Sequence, residues 1–390
     1  MKIATLTDVE GRWSKIEDFA RDNPVLRLEG GRLELEEEGM LVFGGDAVDR
    51  GPDGRRILKL FVEAADRWPD RVILLAGNRD INKIRLAREL NGQPRAGAPD
   101  TDRAELLRWT LAHSMGAGSA FGHRQAELDC TPDEVVDSFL EDLEPEGLIW
   151  RYLERARLGF RWEHTLFLHG GVTTENYGRI PGTTTVENVD AWLAGLQDFY
   201  RRQLDAFRRA PRGTGHAELV AYQAPLPGTR ANQQSVVYGR MALPDGNPVL
   251  PPLPLQKQLL QQGIRRVVIG HTPAGDSPAL LRRGEFEMIA ADNSYGGLER
   301  GSQVLLDEGG CTVRAFVQPG TPEILPVYFR LPRPGLMNEA SFIGRRDLHT
   351  GQLVTGGLED GRWLLFRFGS GHRVEQEVAA NLEKRSWEPY

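Results

Sequence analysis

The apolar residues of this chain gather in six short runs in which hydrophobic positions follow one another without polar alternation. They span residues 2–7 (KIATLT), 40–44 (MLVFG), 71–76 (RVILLA), 165–168 (TLFL), 266–269 (RVVI) and 286–291 (FEMIAA). Such runs predict strands buried on both faces, because a strand with one wet face alternates. Between the second and third runs, residues 54–69 place Ile57, Leu58, Phe61, Ala65 and Trp68 on one helical stripe. A shorter helix is predicted over 14–20. The opening order is strand, helix, strand, helix, strand, which predicts an α/β fold.

Other segments break this rhythm. Leu26, Leu28, Leu33 and Leu35 alternate around Gly30-Gly31, as in a small hairpin. Residues 81–164 read as helical, and Thr131-Pro132-Asp133-Glu134 reads as a capping box with proline at the first helical position. Residues 185–209 carry Val189, Trp192, Leu196, Phe199 and Leu204 at helical spacing. Turn-rich loops are predicted at 93–100 and 243–254. After residue 300 the pattern favours strands at 312–317, 327–331, 353–355 and 363–368, enough for a second sheet.

Composition narrows the function classes. A length of 390 residues suits one large domain or two ordinary ones. The net charge of −7 argues against general binding to nucleic acid or to an anionic membrane. Cys130 and Cys311 lack ligand-like spacing and read as buried thiols of a reducing compartment. No apolar run approaches the ~18 residues that span a bilayer. The first run follows Lys2 directly, without the apolar stretch of a secretion signal. A soluble, cytoplasmic protein is expected.

The residues that can do chemistry stand at the carboxyl end of each run. In chain order these are Asp8-Val9-Glu10-Gly11, Gly45-Asp46-Ala47-Val48-Asp49-Arg50-Gly51, Gly77-Asn78-Arg79-Asp80, His169-Gly170-Gly171, Gly270-His271-Thr272 and Asp292-Asn293. Ligands of α/β sheets sit beyond the carboxyl ends of the strands. A single Asp there is an ordinary turn residue or helix cap, and GHT or HGG alone carries little. The ordered combination carries the signal. Carboxylate, amide and imidazole donors suit Mn, Fe or Zn. One Asp can bridge two ions that together lower the pKa of a shared water, and a nearby Arg can neutralise a phosphoryl group.

These ordered motifs resemble those of the calcineurin-like metallophosphoesterases. GDxxDRG and HGG are similar to the phosphoprotein phosphatase branch, which includes bacterial Ser/Thr phosphatases and diadenosine tetraphosphate hydrolases. Residues 291–301 (ADNSYGGLERG) resemble a hairpin that comes after GHT in bacterial members. The resemblance implies a four-layer α/β/β/α sandwich with metals at one edge. The catalytic domain would span 1–330, with helical insertions at 81–164 and 172–264. A β-rich extension over 331–390 would pack on it. By position, Asp8, Glu10 and Asp46 would hold a first divalent ion, and Asp46, Asn78, His169 and His271 a second. Manganese is the first expectation, with Fe, Mg or Zn as alternatives. Arg50 would bind phosphate, and Arg240 is a further candidate. Thr272-Pro273 after His271 excludes the GHxH variant.

Two positions depart from the family pattern. Glu10 stands where a metal-binding histidine is usual, which would make the first site wholly carboxylate and favour Mn²⁺ or Mg²⁺ over zinc. Arg79 stands where the family has a histidine, oriented by the equivalent of Asp49, that protonates the leaving group. An arginine stays protonated and is a poor acid. Arg79 can pair with Asp49 and clamp phosphate oxygens in bidentate fashion, which implies a good leaving group or another proton donor, or it serves only as a salt bridge that locks Asp49. Beyond it, Asn82 and Lys83 are candidates to face substrate, and Arg85 and Arg88 share a helical face. The leading expectation is a dinuclear phosphoesterase, phosphoprotein phosphatase-like, that cleaves a phosphomonoester or phosphoanhydride with metal-bound hydroxide. A nucleotide or dinucleoside polyphosphate hydrolase is the first alternative, and a phosphate-binding regulatory module the second.

Overall fold

A computed structural model describes residues 1–294, 298–320, 322–335, 342–369 and 373–388. Tyr295-Gly296-Gly297 of the 291–301 segment lies outside the described residues. The strands in chain order are β1 (Lys2–Leu6), β2 (Leu26–Glu29), β3 (Arg32–Leu35), β4 (Gly39–Phe43), β5 (Val72–Leu74), β6 (Gly159–Trp162), β7 (Thr165–Leu168) and β8 (Arg266–Pro273). They continue as β9 (Ala279–Arg283), β10 (Phe286–Asp292), β11 (Gln303–Asp307), β12 (Gly310–Val317), β13 (Leu325–Pro332), β14 (Leu353–Gly357), β15 (Trp363–Phe368) and β16 (Val374–Ala379).

All six apolar runs are strands, and they divide between two sheets. The first has the order β13-β12-β11-β1-β4-β5, with β1, β4 and β5 parallel. The second has the order β6-β7-β8-β10-β9, with β7, β8 and β10 parallel. Residue parity explains why none of the six runs alternates. Ile3, Val42, Ile73, Phe167, Val268 and Ile289 belong to one buried cluster, shared by the facing sides of the two sheets. Their neighbours Ala4, Leu41, Phe43, Leu74, Leu166, Ile269 and Met288 belong to another, together with the helical residues Ile57, Phe61, Trp192 and Leu259. Both faces of each central strand are dry, and the result is the expected α/β/β/α sandwich. The helix Gly54–Arg67 seals the outer face of the first sheet, where Phe61 stacks on Phe43 with ring centroids 4.1 Å apart.

Local predictions are met where side chains dictate backbone. Gly30 and Gly31 turn the β2–β3 hairpin at φ +57° and +78°, the left-handed region that a two-residue turn requires. Thr131 and Glu134 cap the helix Pro132–Glu141 reciprocally. The 185–209 stripe is the helix Val189–Arg209. The 81–164 segment is helical only to Arg155, and its end is β6. Four residues of a half-buried edge strand are too few to show a period against a helical background. The late strands serve two sheets. β11, β12 and β13 extend the first sheet antiparallel, and β14, β15 and β16 form a small sheet of their own. That small sheet is tied back by Asn247, which exchanges hydrogen bonds with the Phe368 backbone, and by Gln376 Nε2, which donates to Asp276 at 2.7 Å.

One buried charge group clamps the second sheet. Glu287 of β10 is fully buried and pairs with Arg266 of β8 and Arg282 of β9, both also buried. Removing its carboxylate strands two guanidiniums away from water. Glu287→Ala should therefore cost about 3–5 kcal/mol in urea unfolding. Glu285→Ala, which breaks only the exposed Arg265–Glu285 pair, should cost less than about 1 kcal/mol. Equal losses would refute the assignment of the clamp.

Candidate metal centre

The ends of the parallel strands converge at one edge of the sandwich. Their glycines let them approach. A side-chain carbon at Gly270 would strike Asp8 Oδ2, and one at Gly77 would strike Asp46 Oδ1. The backbone is strained at the same place. Asp8, Glu10, Asp46, Asp49 and His271 have φ values of 51°, 49°, 59°, 114° and 55°, in the region that L residues avoid. Such conformations cost ~1–3 kcal/mol each and persist where the surroundings enforce them. Here the surroundings are hydrogen bonds between loops. Asp80 accepts from the backbone N–H groups of Asp46, Ala47 and Gly77, each at 2.9 Å, so one carboxylate sets two loops.

Asp8, Asp46 and His169 bring one donor atom each within 4.8 Å of one another. His169 Nδ1 lies 2.8 Å from the Gly44 carbonyl, so it carries the proton and leaves Nε2 as a lone pair. That Nε2 stands 3.3 Å from Asp46 Oδ1 and 3.2 Å from Asn78 Oδ1. His271 stands beside these donors, its imidazole centroid 5.4 Å from that of His169. Its Nε2 is buried with no hydrogen-bond partner, and its backbone N–H is held by Asp8 at 3.2 Å. Burial first, then Arg240 and His169, push its pKa well below the usual value, so the imidazole is neutral. Burial first, then the charges of Asp292 and Asp46, push the Asp8 carboxyl well above its usual range. An orphaned neutral imidazole among packed carboxylates fits a divalent ion with mixed oxygen and nitrogen donors. Asp8, Asp46, Asn78, His169 and His271 are the residues that would hold it.

The remaining predicted residues form a charged layer beside this ring. Glu10 Oε1 lies 2.8 Å from Arg79 Nε, and Oε2 lies 3.1 Å from Arg50 Nε. Burial pushes the Glu10 carboxyl up to about 7, against the opposing pull of Arg79 and Arg50. Arg79 also reaches Asp49 at 3.4 Å and the carbonyl of Gly116 at 3.1 Å. The principal partner of Asp49 is Lys83, with Nζ 2.7 Å away and fully buried. Lys83 therefore turns inward under Asp49, away from the position facing substrate proposed for it. Asn82 keeps that position.

A cavity of about 650 Å³ opens over the ring. Asp8, Asp46, Asn78 and His271 form its floor, and Arg79, Asn82, Arg85 and Arg240 line it. Arg240 donates to the His271 carbonyl at 3.1 Å, which fixes its place at the rim. Arg50 lies outside this lining, drawn to Glu10 and the Ser294 carbonyl. Arg88 also faces elsewhere, toward a separate surface cavity. Sequence reasoning missed Trp109 and His113, which stack at 5.4 Å on the helix Arg103–Ser114 and line the same cavity. It also missed Lys15, a fully buried lysine whose Nζ donates to the Asp8 carbonyl at 3.2 Å. Trp109 and His113 had only their i, i+4 spacing to mark them, and Lys15 had no motif at all.

The model of the calcineurin-like phosphoesterase family matches residues 1–275. The chain belongs to the calcineurin-like phosphoesterases. The match contains the whole donor ring, from Asp8 to His271. Among solved structures the chain is similar to a cold-active protein-tyrosine phosphatase of a Shewanella species. The two are 15% identical with a TM-score of 0.48, over 80% of this chain and 77% of that one. It is also similar to a protein serine/threonine phosphatase from Saccharomyces cerevisiae, 14% identical with a TM-score of 0.42, over 85% and 80% of the two chains. A metallophosphoesterase from Sphaerobacter thermophilus aligns at 13% identity and a TM-score of 0.31, over 85% and 89%. No curated protein matches the chain. Among the described residues, no helix is long and apolar enough to cross a membrane.

If the ring binds metal, saturating Mn²⁺ should stabilise the protein by RT ln(1 + [L]/Kd), about 2.7 kcal/mol at a hundredfold excess over Kd. A thermal melt with and without Mn²⁺ reads this directly. The upward shift should vanish in Asp46→Asn and shrink in His271→Ala. An undiminished shift in both variants would place the ion elsewhere.

Proposed function

We propose that this phosphoesterase is a divalent-metal-dependent phosphatase acting on a small phosphorylated molecule, a nucleotide in preference to a folded phosphoprotein. The cavity carries this reading. Its volume of about 650 Å³ lies in the range of small-molecule sites, and the helical segments wall it on the side away from the sheets. Arg85, Arg95 and Arg240 give it positive charge, and the stacked Trp109–His113 pair gives it a flat aromatic surface. A nucleotide has the complementary parts, an anionic chain and a ring that stacks.

A bound divalent ion supplies Lewis acidity toward phosphoryl oxygens and activates water. The chain's own residues do the rest. Arg79 and Arg240 both line the cavity, where their guanidiniums bind phosphoryl oxygens and stabilise charge that develops in the transition state. Glu10 and Asp49 fix Arg79 at distances of 2.8 Å and 3.4 Å, so little reorganisation is needed when substrate arrives. Arg79 keeps its proton and gives none to the leaving group. A phosphoanhydride leaves as a stable anion without protonation, which supports a nucleotide over an alkyl phosphomonoester.

The test is a panel of acetyl phosphate, a nucleoside triphosphate, a dinucleoside tetraphosphate and a phosphopeptide, each with Mn²⁺ and an Asp46→Asn control. Turnover of the first three should depend on Asp46. Trp109→Ala should raise KM for nucleotides about 5- to 150-fold, from the ~1–3 kcal/mol of a lost base stack. It should leave acetyl phosphate, which has no ring, nearly unchanged. A higher kcat/KM on the phosphopeptide would overturn the substrate reading. Absence of Asp46-dependent turnover on all four would favour the regulatory module.

A further inference from the structure

The two departures from the family pattern meet at a single atom. Arg79 Nε lies 2.8 Å from Glu10 Oε1 and 3.4 Å from Asp46 Oδ2. Glu10 and Asp46 are two of the three carboxylates that the resemblance assigns to a first ion. A guanidinium nitrogen stands between them. The other oxygen of Asp46 accepts a hydrogen bond, whereas Glu10 Oε2 is buried with no hydrogen-bond partner among the described residues and meets only nearby charge. Glu10 Oε2 faces Arg50 at 3.1 Å and Arg12 at 3.6 Å. Asp46 Oδ1 accepts the Arg79 backbone N–H at 2.9 Å and points to His169.

An ion bonded to Glu10 and Asp46 Oδ2 needs oxygen contacts of about 2.0–2.2 Å. It would have to share that space with Nε and approach a fixed positive charge. The guanidinium is not free to leave. Its side chain is only 10% exposed, and Asp49 and the carbonyls of Met115 and Gly116 hold its far end. It cannot discharge itself either, because arginine keeps its proton at any working pH.

Charge balance agrees. Among the described residues, Asp8, Glu10, Asp46, Asp49, Asp80 and Asp292 are six buried carboxylates at this edge. Five basic side chains pair with them or pack among them, namely Arg12, Lys15, Arg50, Arg79 and Lys83. Even with all six ionised, one divalent ion overcompensates the single missing positive charge. A second would add two more positive charges beside the Arg79 guanidinium.

We infer that the centre is mononuclear. One divalent ion sits in the Asp8, Asp46, Asn78, His169 and His271 ring, and the Arg79 guanidinium replaces the other ion as a fixed cation on Glu10. Glu10 and Arg79 are then one paired exchange. A glutamate where the family has a neutral ligand calls for a permanent cation, and an arginine where the family has a histidine that gains and loses its charge supplies one. The inference rests on the metal-dependent reading of the ring and is independent of the nucleotide proposed as substrate.

The experiment counts metal in the full chain without substrate. Protein reconstituted with Mn²⁺ alone is gel-filtered, and bound manganese per chain is measured by mass spectrometry and by electron paramagnetic resonance. Wild type should hold one ion with the spectrum of an isolated Mn²⁺. Glu10→His/Arg79→His should hold two, with the spectrum of an exchange-coupled pair. Two ions of similar affinity in wild type would overturn the inference and leave the metal-dependent reading intact. No bound ion in wild type would overturn both. If the double variant does not fold, the wild-type count and spectrum decide the question alone.

Discussion

Burial of carboxylate charge at one edge of the sandwich is the constraint to which the rest of the structure answers. A lone ionised carboxylate in a dry protein interior costs several kcal/mol even after relaxation. Six of them stand here within the loops that close the parallel strands. Each must find N–H donors or a cation. Asp80 takes three backbone N–H groups. Asp49 takes a buried lysine. Glu10 takes two arginines. Asp8 and Asp46 share hydrogen bonds with the loops and leave their remaining capacity to the donor ring. The glycines at 77 and 270 and the left-handed backbone of Asp8, Asp46 and His271 answer the same demand, since the loops must close tightly enough for these partners to reach.

That demand also explains which parts of the protein were legible in its sequence. The six core strands were, because both of their faces are dry and no polar residue interrupts them. Their division between two sheets was not, since a run buried on both faces gives no sign of which neighbour it pairs with. β9 escaped notice because Arg282 and Arg283 make it look wet. In the fold Arg282 is buried against Glu287, a contact 5 residues away in sequence but across a strand pair in space. β6 and β16 escaped for the opposite reason. They are half-buried edges with too few apolar positions to show a period.

At the site the legible part was the ring. Asp8, Asp46, Asn78, His169 and His271 each lie at a strand end, and strand ends are where an α/β sheet gathers its ligands. Arg79 was visible as an oddity, and its contact with Asp49 was among the readings its position allowed. Its closer contact with Glu10 depends on a rotamer and on the strained turn at Glu10, and neither leaves a trace in the order of residues. The cavity wall was hidden for a different reason. Trp109 and His113 lie on a helix of an inserted segment, and an aromatic pair at helical spacing is ordinary core material until the fold exposes one side of it.

The arrangement also separates tasks that phosphoryl transfer usually combines. Metal ions bind substrate, carry positive charge and activate water, and they come and go with the solution. A guanidinium clamped by Glu10 and Asp49 carries positive charge permanently and binds oxygens in a fixed geometry, but it activates no water and gives up no proton. Exchanging one ion for an arginine therefore keeps electrostatic stabilisation and loses acid–base chemistry on that side of the site. The chemistry that remains suits a substrate whose leaving group needs no proton and whose bulk supplies its own binding energy. The walled cavity over the ring, basic along one part and aromatic along another, provides for the second of these needs. In the proposed reading, the fixed cation and the inserted helices would select in the same direction, toward a small anhydride-bearing molecule and away from a protein surface.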